Sequence, residues 1–234
     1  FEANIQKLTT QVEEQRKVCG HLAEQLFAKR QEVATKMDKE ILDELTKLGI
    51  QNAKFVTQLR QHVLPIHSNA DGEFVHLGKK AVRIHANGCD EVEFFISTNL
   101  GEEVKPLAKV ASGGEVSRIM LALKSILAKV DRLPVMIFDE IDVGVSERIA
   151  QAVGLSMKNL SKLHQIIAIT HLPQIAGLAD SHFVVEKFEN NKRATTSVRK
   201  LTINERVREV AKLMSGAEVT EAGLVGAKEL MGLK

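Results

Sequence analysis

Two short stretches of this 234-residue chain carry residues suited to phosphate chemistry. Ser112-Gly113-Gly114-Glu115 precedes a predicted helix, and the apolar strand Val135-Met136-Ile137-Phe138 ends in Asp139-Glu140. Glycines at the start of a helix let an anion approach the exposed backbone N–H groups closely. Of two adjacent carboxylates after a buried strand, one can bind Mg²⁺ while the other orients a water. A capping box and an acidic turn are the simpler interpretations of these two stretches.

Further polar residues follow in the same region. Asp142 makes the loop after the first strand more acidic than a simple turn requires, and a second apolar strand, 166–169, is followed by Thr170 and His171. A predicted helix of about 17 residues and a returning strand bring Ser112 and Asp139 to one face of the domain, where parallel strands present their carboxyl ends. His171 ends the next strand on that face, although a surface histidine is the alternative.

The loop that normally holds nucleotide phosphates does not occur in this sequence. No Gly-x-x-x-x-Gly-Lys-Ser/Thr string is present. The segment from Gly72 to Lys80 has a superficial likeness, but its spacing is one residue too long and Lys80 stands where a hydroxyl is needed. The chain also begins at Phe1 without a methionine. We therefore expect half of a split site, within a longer polypeptide.

Composition limits the remaining functions. The net charge is +2, and there is no Trp or Tyr, so base stacking is not expected and any DNA contact would be to the backbone. The basic cluster Lys79, Lys80 and Arg83 is one candidate for such contact, with a solvated strand edge as the alternative. Cys19 and Cys89 fit no metal spacing or disulfide framework, and no apolar run suggests a membrane span. We expect a reducing cytoplasm.

The pattern of apolar residues predicts an α/β fold behind a long helix. Residues 1–48 contain one glycine and a 3-4 apolar spacing from Ile5 to Leu26, which is typical of a coiled coil, although an ordinary amphipathic helix is the alternative. Gly49 is a C-terminal glycine signal. We expect a coiled-coil arm at 1–48 and a second domain at 49–234. Its predicted elements are short strands over 52–97, helix 113–129, strand 134–138, helix 147–161, strand 165–170, helix 173–179, a hairpin over 182–201, and helices 203–215 and 220–232.

These motifs together resemble the ABC-type ATPases. Ser112-Gly113-Gly114-Glu115 is similar to their signature motif, 135–140 to their Walker B strand with its catalytic glutamate, 141–143 to the D-loop, and His171 to the switch histidine. A coiled-coil arm joined to such a lobe resembles the SMC-like members that act in bacterial DNA repair. Glu147 and Arg148, after the D-loop, depart from the usual pattern. The implied fold is the C-terminal half of an ABC-type ATPase head, a parallel sheet with flanking helices and extra antiparallel strands.

The resemblance also implies a role for each residue. Asp139 would hold Mg²⁺, Glu140 would act as the general base, and His171 would contact the γ-phosphate of ATP. Ser112, Gly113, Gly114, Glu115 and Asp142 would contribute to nucleotide binding, the signature residues acting across a dimer of heads.

The implied partners are an N-terminal Walker A lobe of the same polypeptide, a second head and DNA, without a membrane, in the nucleoid. Double-strand break repair is the expected process, and a nucleotide-gated DNA tether with little hydrolysis is the alternative. A transporter ATPase subunit is disfavoured by the long helix and the missing Walker A loop.

Overall fold

The computed structural model describes residues 1–65, 74–110, 113–130, 133–190, 193–216 and 218–233. Ser112, and Gly72 and Glu73 of the Gly72 to Lys80 segment, therefore lie outside the described residues. The chain forms two compact units, which comprise residues 1–43 with 52–110, and residues 44–51 with 111–234. The expected division of the chain into domains at 48/49 stays a prediction.

The first unit combines the long helix with short antiparallel strands. Strand β4 lies between β1 and β5, while β2 and β3 form a separate hairpin. The bounds are α1 Glu2–Lys47, whose last four residues belong to the second unit, β1 Lys54–Gln61, β2 Phe74–Leu77, β3 Lys80–Arg83, β4 Asp90–Ser97 and β5 Lys105–Pro106.

Helix α1 has two different stretches. Its apolar residues as far as Leu22 are largely exposed, as a coiled-coil seam is when its partner helix is absent. Farther along the helix, Ala23 joins Val75, Val82 and Cys89 in a buried cluster of the first unit. The predicted long N-terminal helix is confirmed, and it fits a coiled coil. No helix within the described ranges is long and apolar enough to cross a membrane.

A buried ion pair attaches α1 to strand β4. Arg30 Nη1 donates to Asp90 Oδ2 over 2.9 Å, and Gln61 Nε2 donates to Asp90 Oδ1 over 3.0 Å. Only 1% of the Asp90 side chain is exposed. Removing one member of a buried pair leaves an uncompensated charge, which is more costly than losing an exposed pair.

We expect Arg30→Met to lower the free energy of unfolding by about 3 kcal/mol, because Asp90 keeps only a neutral amide donor. Urea unfolding followed by circular dichroism measures this change. Lys36→Met is the matched control on the same helix, since the Lys36–Glu40 pair spans 3.8 Å and the lysine side chain is 78% exposed. We expect that control to lose less than about 1 kcal/mol. Equal losses in the two variants would contradict the buried-pair argument.

The second unit shows the predicted alternation of helices and strands. Strands β6 and β7 are parallel, and β8 and β9 form an antiparallel hairpin. The bounds are α2 Gly113–Leu127, β6 Val135–Phe138, α3 Glu147–Leu160, β7 Gln165–Ala168, α4 Pro173–Ala176, β8 Phe183–Asn190, β9 Arg193–Lys200, α5 Ile203–Ser215 and α6 Glu221–Leu230. Parallel strands, crossover helices and additional antiparallel strands behind a long helix confirm the predicted fold class.

The turn after α1 has the predicted glycine geometry. Gly49 has φ +88°, and the Ile50 N–H donates to the Leu45 carbonyl over 2.9 Å, as in a Schellman motif. A Cβ at Gly49 would lie 2.5 Å from Ile149 Cδ1, so this turn also packs closely against α3. Glycine is therefore required here for both its conformation and its size.

The sheet of β6 and β7 is apolar on both faces, but only one face is covered. Met136 and Phe138 point into the core, which is formed by fully buried residues of α2, α3 and the loop after β6. The opposite face, here called the outer sheet face, presents Val135, Ile137, Ile167 and, just after β7, Ile169, which are 42%, 66%, 44% and 57% exposed, beside the exposed Gln165. Contiguous exposed apolar residues on a sheet indicate an interaction surface.

Helix α5 begins with a capping box. The Thr202 N–H donates to Glu205 Oε2 over 2.8 Å, and the Glu205 N–H donates to the Thr202 hydroxyl. The Thr202 backbone bond is the largest cause that lowers the pKa of Glu205 to about 2, followed by the Thr202 hydroxyl and Arg199.

A carboxyl group whose pKa is lowered by folding stabilises the folded state above its unfolded pKa, and that contribution is lost as pH falls. We expect the Glu205 contribution to be present above about pH 4.5 and lost toward about pH 2. Glu205→Gln keeps the capping geometry without the charge. Urea titrations at several pH values measure the stability of both proteins, and the difference between them is expected to shrink over this range. A constant difference would contradict the assignment.

Candidate functional site

The loop after β6 packs directly against the start of α2. The Ser117 hydroxyl donates to the Asp139 carbonyl over 2.7 Å. A Cβ at Gly114 would lie 3.0 Å from the Glu140 carbonyl oxygen and 3.3 Å from that of Val143, so a side chain there would push the loop backbone away. The connection from α2 to β6 thus brings the glycine pair beside the acidic loop, as the predicted order of helices and strands implies.

Glu140 lies over the first glycine. A Cβ at Gly113 would be 2.2 Å from Glu140 Oε2, so the space above this glycine holds the Glu140 carboxylate. A negative group is favourable beside the positive end of a helix. A side chain at Gly113 would therefore displace this carboxylate, which is the flexible end of Glu140. Phosphate contact at Gly113 and Gly114 stays a prediction.

The backbone at Glu140 is unusual. Its φ is +56°, and within the described residues it is the one non-glycine residue in the left-handed region. This conformation costs roughly 1–2 kcal/mol for a residue with a side chain. The Glu140 N–H donates to Asp139 Oδ1 over 2.9 Å, and its carbonyl accepts from the Val143 N–H over 3.2 Å. Strain of this kind persists where the surroundings fix the backbone, which is common at functional sites.

Asp142 connects the acidic loop to the end of β7. Its side chain is only 3% exposed, and Oδ2 accepts bonds from the Thr170 hydroxyl (2.5 Å) and the His171 N–H (3.0 Å). His171 Nδ1 lies 3.2 Å from the same oxygen, while the histidine side chain remains 69% exposed. The carboxylate therefore orients an exposed imidazole, and nucleotide contact by Asp142 itself stays a prediction.

Arg118 is a site residue that the sequence reasoning missed. Its Nη1 donates to the carbonyls of Ile141 (3.3 Å) and Val143 (3.2 Å), and the residue is only 8% exposed. Burial lowers the pKa of its guanidinium, and the charge of Glu115 opposes that shift. Helical spacing could have identified this residue from the sequence, since Arg118 follows Gly114 by four residues and so lies on the same face of α2.

The predicted site residues fall into two contacting groups. Gly113, Gly114 and Glu140 contact one another, and Asp142 contacts His171, with the loop backbone joining the two groups. Glu115 lies in the first turn of α2 and is half-buried.

The residues present fit Mg²⁺ with ATP rather than a metal held by protein alone. Asp139 is exposed, and Mg²⁺ in phosphate sites uses one or two carboxylates with waters and phosphate oxygens. Across the part of the chain that the structure describes, no cluster of three or more histidine, cysteine or acidic side chains could hold a metal. Any Mg²⁺ here would therefore take its remaining ligands from waters and phosphate oxygens.

Comparisons with known proteins identify relatives but no family model matches the chain. The DNA repair protein RecN of Halalkalibacterium halodurans is 43% identical to this chain over 204 residues, which are 87% of this chain and 34% of that protein. The Haemophilus influenzae RecN is 36% identical over 208 residues, with coverages of 89% and 34%. The Treponema pallidum RecN is 36% identical over 231 residues, with coverages of 99% and 37%.

Two solved structures are more distant. An Smc head domain with an extended coiled coil from Pyrococcus furiosus, bound to the C-terminal domain of ScpA, is 17% identical with a TM-score of 0.48, covering 91% of this chain and 44% of that one. The Pyrococcus yayanosii Smc head with coiled coil and joint is 18% identical with the same TM-score, and the coverages are 80% and 30%. The sequence relatives carry the assignment. The resemblance to SMC-like DNA repair proteins is therefore confirmed as a likeness to RecN over most of the chain, which spans about a third of the length of the curated relatives it matches.

Proposed function

We propose that this chain supplies the C-terminal head lobe and adjoining coil of a RecN-like SMC ATPase in DNA double-strand break repair. One observation carries the proposal, which is that the glycine start of α2 packs on the loop of Asp139 and Glu140. That loop in turn contacts His171 through Asp142. The names of the sequence relatives support the DNA repair role.

The outer sheet face supports a missing lobe. Its four aliphatic side chains are exposed on the parallel pair of β6 and β7, where a second layer would cover them. The sequence also lacks a Walker A loop. We infer that an N-terminal lobe of the same polypeptide covers this face and supplies the lysine that holds the phosphates.

Each of the predicted catalytic and metal-binding residues would then have a defined role. Asp139 would hold Mg²⁺, which when bound neutralises charge on the phosphate oxygens. Glu140 would accept the proton of the attacking water, and His171, oriented by Asp142, would donate to the γ-phosphate. In phosphoryl transfer, catalysis consists mostly of such positioning and charge stabilisation.

Complete sites would form between two heads. Ser112, Gly113, Gly114 and Glu115 of one head would face the nucleotide of the other, so hydrolysis would require an ATP-dependent homodimer. Contact with DNA would be to the backbone, and the protein would be cytoplasmic and associated with the nucleoid. Because the phosphate lysine comes from the other lobe, we expect the isolated chain to bind ATP poorly.

The test measures steady-state ATP turnover of this chain alone and after addition of the N-terminal lobe. Turnover that appears only in the mixture supports the split head. If both partners are folded and associated but no ATP is hydrolysed, a nucleotide-gated DNA clamp becomes the better description. Tight stoichiometric ATP binding by the chain alone would contradict the split site.

A pair of variants tests where the lobe binds. Ile137→Glu places a charge at the 66% exposed centre of the outer sheet face, so it is expected to abolish association with the N-terminal lobe and therefore turnover. Leu163→Glu is the matched control, because Leu163 is 58% exposed and lies in the turn between α3 and β7 rather than on that face. Equal association in both variants would exclude this face as the contact.

A further inference from the structure

Two side chains of α2 hold the backbone on both sides of Glu140. The Ser117 hydroxyl donates to the carbonyl of Asp139, the residue before Glu140. Arg118 Nη1 donates to the carbonyls of Ile141 and Val143, which follow it. The loop that carries the proposed general base is thus attached at three carbonyl groups to one helix.

The burial of Arg118 is costly for a residue that only fills space. The side chain is 8% exposed, and its Nε has no hydrogen-bond partner among the described residues. Desolvation also lowers the pKa of the guanidinium. An uncharged side chain of similar length could occupy this volume without desolvating a charge. The two carbonyl groups that accept hydrogen bonds from Arg118 therefore account for a charged side chain at this buried position.

Those carbonyls flank the strained residue. Glu140 has φ +56°, a conformation that an unrestrained glutamate rarely adopts. Bonds to the residue before it and to the two carbonyls after it keep the loop in this shape, and the shape sets where the carboxylate lies. Releasing the Arg118 bonds removes two of these three restraints.

We propose that Arg118 is the positioning residue for Glu140 and that it couples the glycine start of α2 to that carboxylate. This inference rests on the proposed function. Gly113, Gly114 and Arg118 belong to one 15-residue helix, so displacement of its first turn moves the donor of both loop bonds. Nucleotide held at the glycines of a head would thereby be sensed by the same head's Glu140, which serves the other nucleotide. Coupling of this kind links the two sites of a dimer.

The first test uses the chain alone. We expect Arg118→Met to speed amide hydrogen exchange of residues 139–143 by at least about tenfold, because local opening then competes less with the loop bonds. Exchange in the β8–β9 hairpin is the internal control for global unfolding. Arg118→Lys keeps a cationic donor and is expected to restore part of the protection, and Ser117→Ala gives a smaller effect. Unchanged exchange at 139–143 would overturn the positioning role, whether or not the protein hydrolyses ATP.

The second test measures turnover with the N-terminal lobe. Arg118→Met is expected to lower kcat by about 10²-fold with KM nearly unchanged, and Arg118→Lys to recover about tenfold, since misplaced catalytic groups affect the chemical step. Combining Arg118→Met with Glu140→Gln is expected to add no further loss. Losses that multiply, or an effect on KM alone, would overturn the inference. Absence of turnover in the wild-type mixture would instead contradict the proposed function. The hydrogen-exchange result would then still test whether Arg118 fixes the loop at 139–143.

Discussion

Glu140→Gln is expected to lower ATP turnover of the assembled head by about 10²–10⁴-fold while leaving ATP binding intact. Glutamine has the shape of glutamate and can occupy the same space over Gly113, but it cannot accept the proton of the attacking water. Because ATP then persists between the heads, dimers are expected to live longer. Steady-state turnover, nucleotide binding and size-exclusion chromatography in ATP measure the three effects.

The control for this prediction is Glu147→Gln, which makes the same chemical change at an exposed position in the first turn of α3. We expect its turnover to remain within about twofold of wild type, because a surface charge at a helix start mainly affects local stability. Unchanged hydrolysis in Glu140→Gln would remove Glu140 from the role of general base. Loss of ATP binding in that variant would indicate a binding role instead.

Features set by neighbouring residues could be predicted from the sequence with useful accuracy. The capping box of Thr202 and Glu205 fixes the start of α5, and the observed helix, Ile203–Ser215, has the predicted bounds. Gly49 likewise ends the long helix in the left-handed conformation. Such signals are readable because both partners of each bond lie within a few residues of one another.

The arrangement of the site depended on contacts between distant parts of the chain. The order of strands and helices predicted that Ser112 and Asp139 lie on one face of the domain, but not that the Glu140 carboxylate occupies the space over Gly113. Arg118 resembles any polar residue of an amphipathic helix until its carbonyl partners, more than twenty residues away, are known. The buried state of Asp142 is equally a product of the parallel pairing of β6 and β7.

The helix α1 shows the same limit at a larger scale. Its predicted coiled-coil spacing extends from Ile5 to Leu26, whereas the fully buried residues Ile41, Leu45 and Leu48 lie beyond that stretch. The sequence could not show that Asp38 would bind Thr57, whose hydroxyl donates to its carboxylate over 2.6 Å. Periodicity identifies which face of a helix is apolar, whereas the identity of the covering element depends on tertiary structure.

Asp142→Ala is expected to reduce both stability and turnover. The Thr170 hydroxyl and the His171 N–H would lose their shared acceptor, which costs about 1–3 kcal/mol for each unsatisfied group, less what water recovers. We expect a fall of about 3 kcal/mol in the free energy of unfolding. The imidazole of His171 would also lose the carboxylate that orients it, so turnover in the assembled head is expected to fall by about 10²-fold.

Asp142→Asn separates these two effects. Its amide oxygen can still accept from Thr170 and the His171 N–H, so stability is expected to fall by less than half as much as in the alanine variant. The amide lacks the charge that attracts His171 Nδ1, so most of the loss in turnover is expected to remain. Asp180→Ala is the control, because Asp180 is 78% exposed in its pair with Lys158 and is expected to change neither quantity appreciably. Turnover that follows stability in proportion across the three variants would mean that Asp142 serves the fold alone, and that His171 needs no orientation by this carboxylate.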